Sequence, residues 1–188
     1  MSISFNHYRR SIRLPHFDYA SDGAYFVTIC TTGRQSLFGE IANGQMVIND
    51  CGMIVSDTWK WLAQQYQYVH LHEWVVMPNH FHGIIMIDRT GGDCRGGSRT
   101  APTDNQKIKP LGRLVGAFKT VSTKRINEFR QTPGMIVWQR NYYEHIIRDD
   151  DDLNRIREYI VNNPAKWAED DNNPDNIQYD KRGYVQKK

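Results

Sequence analysis

Two histidines separated by one residue, His80 and His82, are the first residues in this 188-residue chain that could do metal chemistry. On an extended strand, residues i and i+2 point to the same face, roughly 6–7 Å apart along the chain. Two imidazoles so placed can converge on one ion. Phe81 then points the other way, into a core, and Gly83 leaves room beside the pair. The same pattern fits two ordinary histidines on a solvent-facing strand. It recurs at His70 and His72, which shows how cheaply it arises. A second group lies near the C-terminal third, where Asp152, Arg155, Tyr159 and Asn163 recur every three or four residues on one helical face. A tyrosine at the border of an amphipathic helix most often only packs, and an asparagine before a proline often only ends a helix. A third group mixes aromatics with charge, from Trp138 and Arg140 through Tyr142, Tyr143, Glu144 and His145. Such a mixture can stack bases and hold phosphates, or form the rim of a core.

The elements that must position these residues follow from periodicity. β-branched and aromatic residues over 24–32 predict a strand after the turn Ser21-Asp22-Gly23. Asn43-Gly44 predicts a hairpin turn before a short strand at 45–49. Helical spacing predicts a helix over 53–66 with Asp50 as its cap. Strands at 70–77 and 80–88 flank the tight turn Pro78-Asn79. A helix is expected over 111–129, a short strand over 135–138, and an irregular piece over 139–148. A last helix spans 151–163, opened by aspartates and stopped by Pro164. Residues 89–105 read as a flexible Gly-rich loop and 167–188 as an irregular tail. The order predicts one α+β domain over residues 1–188, with an antiparallel sheet and helices on one face, close to the ferredoxin-like plan.

Composition bounds the function. No apolar run approaches the ~20 residues that span a bilayer, and the N-terminus shows no secretory pattern. The three cysteines, Cys30, Cys51 and Cys94, are far apart and form no CxxC pair. This argues against a disulfide framework and a zinc knuckle, and a reducing cytoplasm is the expected setting. The net charge of +3 permits a nucleic-acid partner without demanding one. Basic residues gather at Arg9, Arg10 and Arg13, and again from Lys107 to Arg130, while acidic residues gather at Asp149–Asp152 and Glu169–Asp171.

The strings VVMPNHFHGIIMI and WQRNYYEHIIRDDDDLNRIREYIVNNPAKW, with RRSIRLPHFDYASDGAYFVTICT near the start, resemble the REP-associated tyrosine transposases. These belong to the HUH single-tyrosine, single-strand transposases. The resemblance runs from about Arg9 to Trp167 and is more specific than any HxH alone. It implies a ferredoxin-like sandwich and a divalent ion, Mg²⁺ or Mn²⁺, held by His80 and His82. Tyr159, in REYIVNNP, matches the nucleophile. Asn163 falls where related enzymes place a third polar ligand, although the insertion-sequence relatives carry Gln there. The implied activity is cleavage and strand transfer of single-stranded or hairpin DNA through a covalent 5′-phosphotyrosine. Arg9, Arg10, Arg13, Arg113, Lys119, Lys124, Arg125 and Arg140 are the expected phosphate contacts. A monomer is expected, with a dimer as the alternative. The competing readings are a single-stranded nucleic-acid-binding module that does not cut, and a hydrolase using activated water.

Overall fold

The structure, a computed structural model, describes residues 17–89 and 108–176, and the backbone of 178–179 and 185–186. Arg9, Arg10, Arg13 and nearly all of the expected Gly-rich loop lie outside these residues.

Strand β1 (Gly23–Cys30) enters the centre of the fold. A separate hairpin follows, β2 (Gly39–Ala42) and β3 (Gln45–Ile48), turning at Asn43 and Gly44. Both turn residues have positive φ, 52° and 74°, as the Asn-Gly signal requires. Helix α1 (Asp50–Gln65) is capped by Asn49, not Asp50, because the Asn49 side chain accepts from Gly52 N. Strands β4 (Val69–Val76) and β5 (His80–Ile87) form the hairpin expected around Pro78-Asn79. Helix α2 (Leu111–Arg130), strand β6 (Tyr143–Ile147) and helix α3 (Asp150–Asn162) complete the sequence of main elements. The tail carries a short hairpin of β7 (Gln178–Tyr179) and β8 (Val185–Gln186).

The main sheet is antiparallel with strand order β4-β5-β1-β6. With the β2–β3 hairpin set aside, this is the order and connectivity of the ferredoxin-like plan. The α+β antiparallel architecture therefore stands. The helices, however, divide between the two faces. Tyr25, Val27, Ile29, Phe81, Ile85 and Ile87 meet α1 and α2 in one core built around Trp59 and Phe118. Phe26 and Ile84 meet Ile156 and Ile160 of α3 on the other face. Each large side chain buried in these layers contributes roughly 1.5–3 kcal/mol.

Two local expectations fail. Residues 135–138 make no strand beyond an isolated bridge between Thr31 and Trp138, and Met135 and Ile136 are exposed. The edge strand is instead β6, within the stretch expected to be irregular. Glu144 and Ile146 face one layer of helices, while Tyr143, His145 and Ile147 face the other. All of β6 is half-buried or exposed, so neither side of it shows the apolar–polar alternation by which strands are recognised. Gly83 is also reassigned. A Cβ there would lie 2.8 Å from the Phe81 ring and 2.9 Å from Trp59. Its missing side chain makes room for the α1 core, not for the histidines.

Candidate functional site

His80 and His82 are fully buried, not solvent-facing, at 0% and 1% exposure. The β1–β5 register sets Cys30 beside His80 and Thr28 beside His82. Each ring is held at Nδ1. The Asn79 amide donates through Nδ2 to the carbonyls of Arg34 (3.0 Å) and Asn172 (2.7 Å). That fixes its Oδ1 towards His80, whose Nδ1–H donates to it at 2.8 Å. His82 Nδ1 lies 2.8 Å from the hydroxyl of Thr28. The two Nε2 atoms then face each other at 2.9 Å.

Helix α3 brings the tyrosine. Its first turn is ordered by Asp149, whose side chain accepts from Asp152 N. Its apolar stripe seats on Phe26 and Ile84. This places the Tyr159 hydroxyl 3.4 Å from His82 Nε2, with its ring edge-on to Phe26. Asn163, at the helix end, is 3% exposed. Its amide lies beside Tyr159 and opposes the rise of the phenol pKa, while its Oδ1 has no hydrogen-bond partner. Beyond Pro164 the chain forms a 3₁₀ turn through Glu169. Trp167 stacks on His80 with ring centroids 5.9 Å apart. The Asp170 carboxylate lies 3.8 Å from His80 Nε2.

Electrostatics at this site are set mainly by burial. Desolvation holds His80 down to about 4, partly opposed by Asp170, and Arg34 lowers it further. Desolvation and then His80 hold His82 well below the ordinary range. Both rings are neutral near pH 7, the state a metal ligand needs. Burial, and next the charge of Asp170, push the Tyr159 phenol up to about 12. It is therefore protonated in the isolated protein.

The donor set suits a divalent ion. His80, His82 and Asp170 offer three ligand atoms within 4.8 Å of one another. The facing Nε2 atoms of His80 and His82, 2.9 Å apart, are close enough for both to serve one ion. The buried, unsatisfied Asn163 Oδ1 points to the same conclusion. Mixed imidazole and oxygen donors fit Mn²⁺ or Zn²⁺ better than Mg²⁺.

These groups open onto a cleft of about 860 Å³. The cleft wall includes His82, Tyr159, Asn163, His145, Arg155 and Lys166. His145 donates to Asp152, which Arg155 also engages. The expected phosphate contacts are placed elsewhere. Arg113, Lys124 and Arg125 sit on α2, across the sheet from Tyr159. Lys119 Nζ donates to the carbonyls of Gln139, Arg140 and Asn141, and burial lowers it to about 8. Those three bonds tie down the loop that leads into β6, so the amine is occupied. Arg140 is exposed on that loop and does not line the cleft.

Four residues assigned from the sequence thus converge: His80, His82, Tyr159 and Asn163. His145, from the third candidate group, lines the same cleft, whereas Thr28, Asn79, Asp170 and Lys166 were missed. Asp170 lies in a polar tail with no periodic signal, and only its fold-back against β5 reveals it.

No family model matches the chain. An uncharacterised protein of Haemophilus influenzae is 43% identical over 177 residues, covering 90% of this chain and 97% of its own. A candidate REP-associated tyrosine transposase of the same organism is 25% identical over 149 residues, or 79% of this chain and 74% of that one. The chain is related to the REP-associated tyrosine transposases. A solved structure of a REP-associated tyrosine transposase bound to a REP hairpin shares the fold. Its TM-score is 0.53 at 17% identity, over 83% of this chain and 73% of that one. The shared antiparallel sheet carries the histidine strand at its centre in this relative of the transposases. No helix among the described residues is long and apolar enough to cross a membrane.

Proposed function

We propose that the protein is a metal-dependent, single-strand DNA endonuclease and strand transferase acting on hairpin or single-stranded DNA. The observation that carries this reading is the meeting of Tyr159 with His82 Nε2 at 3.4 Å, beside a second imidazole and a carboxylate. The hairpin-bound relative supports hairpin DNA as the substrate class.

His80 and His82 would hold Mn²⁺ or Mg²⁺, with an oxygen ligand from the Asp170 and Asn163 side. When bound, the ion neutralises phosphate oxygens and favours the ionised phenol. Tyr159 attacks the phosphorus in line. Its Oη–P bond forms as the P–O3′ bond breaks. The phenol proton leaves to solvent or a base, and the departing 3′-oxygen takes up a proton. The product is a 5′-phosphotyrosine and a free 3′-hydroxyl. His82 is a poor acceptor for the phenol proton, because burial lowers its basicity. The phosphotyrosine conserves the energy of the ester, so a 3′-hydroxyl from another strand can reverse the step without ATP. Asn163 and His145 line the same cleft, and Arg155 and Lys166 supply cationic groups to the DNA path.

The test is cleavage of labelled hairpin and single-stranded DNA with Mn²⁺ or Mg²⁺, using wild type and Tyr159→Phe, resolved under denaturing conditions. A protein–DNA adduct is expected in wild type and absent from Tyr159→Phe. Cleavage that survives Tyr159→Phe without an adduct would establish the activated-water hydrolase instead. Tight binding with no cleavage across a library of host-locus hairpins would establish the non-cutting module.

A further inference from the structure

The segment after α3 does not trail away from the site. It crosses the start of β5 and is pinned there from several directions. Asn79 donates to Asn172 O at 2.7 Å, and Arg34 Nη1 donates to Asp171 O at 2.5 Å. The Cys30 thiol donates to Asn172 Oδ1 at 3.5 Å. Trp167 covers one face of the His80 ring. The same Asn79 amide that orients His80 thus also fixes residues 171–172, so the ligand ring and this strap are set by one side chain.

The strap buries a carboxylate. The Asp170 side chain is 6% exposed. Its Oδ1 accepts from Asn172 N at 2.6 Å, which aims the other oxygen, Oδ2, at His80 Nε2. Among the described residues its ion-pair partner is His80 alone. A buried carboxylate facing imidazole nitrogens is costly to hold unless a cation joins it. Asn163 offers only a neutral amide oxygen, its unpartnered Oδ1. Hard divalent ions prefer the anionic oxygen.

We infer that Asp170, presented by the 167–173 strap, is the anionic ligand that completes the metal site with His80 and His82. This rests on the metal reading above and assigns its third ligand to a segment beyond the tyrosine helix. The strap would then be part of the metal site, and the Asn79 amide a positioning residue for both halves of it.

The test needs no DNA. Metal-stripped full-length protein is titrated with Mn²⁺ and free Mn²⁺ is followed by electron paramagnetic resonance. Asp170→Asn is expected to weaken Mn²⁺ at least about tenfold. A second variant, Asp170→Cys, is titrated with Co²⁺. A thiolate-to-cobalt charge-transfer band absent from wild type is expected, which reads ligation directly whatever the effect on stability. Asp170→Asn holding Mn²⁺ within about threefold of wild type, with an unchanged melting temperature, would overturn the assignment. So would Co²⁺ binding to Asp170→Cys without the band. Wild type that binds neither ion would overturn the metal reading itself along with it.

Discussion

The phenolic oxygen of Tyr159 stands 3.4 Å from Nε2 of His82, joining residues 77 positions apart on a helix and a strand. The contact exists because α3 packs on the face of the sheet opposite α1 and α2. It sets a base of lowered basicity beside a phenol pushed up to about 12. Under single-turnover conditions with Mn²⁺, the rate of adduct formation is expected to rise about tenfold per pH unit through the neutral range. That slope reports loss of the phenol proton before attack. A profile that levels off near pH 6.5 would show instead that an ordinary histidine takes the proton.

The buried histidines make stability depend on pH in the metal-free protein. In the folded chain His80 titrates at about 4 and His82 well below its ordinary value, whereas both titrate near 6.5 when unfolded. As pH falls, the unfolded chain takes up these protons first, so stability is lost. From His80 alone the loss begins near pH 6.5, is complete below about 4 and is on the order of 3 kcal/mol, and His82 adds to it in the same direction. Urea midpoints in EDTA at pH 7.5, 6 and 5 measure it. His80→Gln should flatten the slope in that window, and an equal slope in this variant would contradict the assignment.

Gly83 tests how tightly β5 is held against α1. A methyl group at this position meets Phe81 and Trp59 ring carbons at 2.8–2.9 Å. Both rings are fully buried and cannot retreat into solvent. Gly83→Ala is expected to cost about 1–3 kcal/mol, read as a lowered melting temperature. A melting temperature equal to wild type would mean that the Trp59 layer repacks freely.

The placement of basic residues separates two DNA paths. Arg155 and Lys166 border the Tyr159 cleft, while Arg113, Lys124 and Arg125 lie across the sheet. Arg155→Gln and Lys166→Gln are expected to weaken hairpin binding and to reduce the salt dependence by about one phosphate contact each. Arg113→Gln with Lys124→Gln and Arg125→Gln should leave both nearly unchanged. Fluorescence anisotropy over a salt series distinguishes them, and the opposite pattern would place the DNA on α2.

The sequence by itself determined which residues could act and the local elements that carry them. The HxH spacing put His80 and His82 on one side of a strand, and the three-and-four spacing put Asp152, Arg155, Tyr159 and Asn163 on one side of a helix. Both follow from backbone periodicity, which short stretches encode. Capping, hairpin and proline signals placed most boundaries within a few residues. Only the tertiary structure decided which face of the sheet α3 covers, and hence that Tyr159 reaches His82 while the α2 cations do not. Local pattern cannot supply this, because both faces of the sheet are apolar and either could receive the Ile156–Ile160 stripe. Nor could it show β6, a half-buried edge strand without apolar–polar alternation, or Asp170. That carboxylate becomes a site residue only when Asn79 and Arg34 pin a polar tail across β5, a long-range arrangement with no periodic trace in the chain.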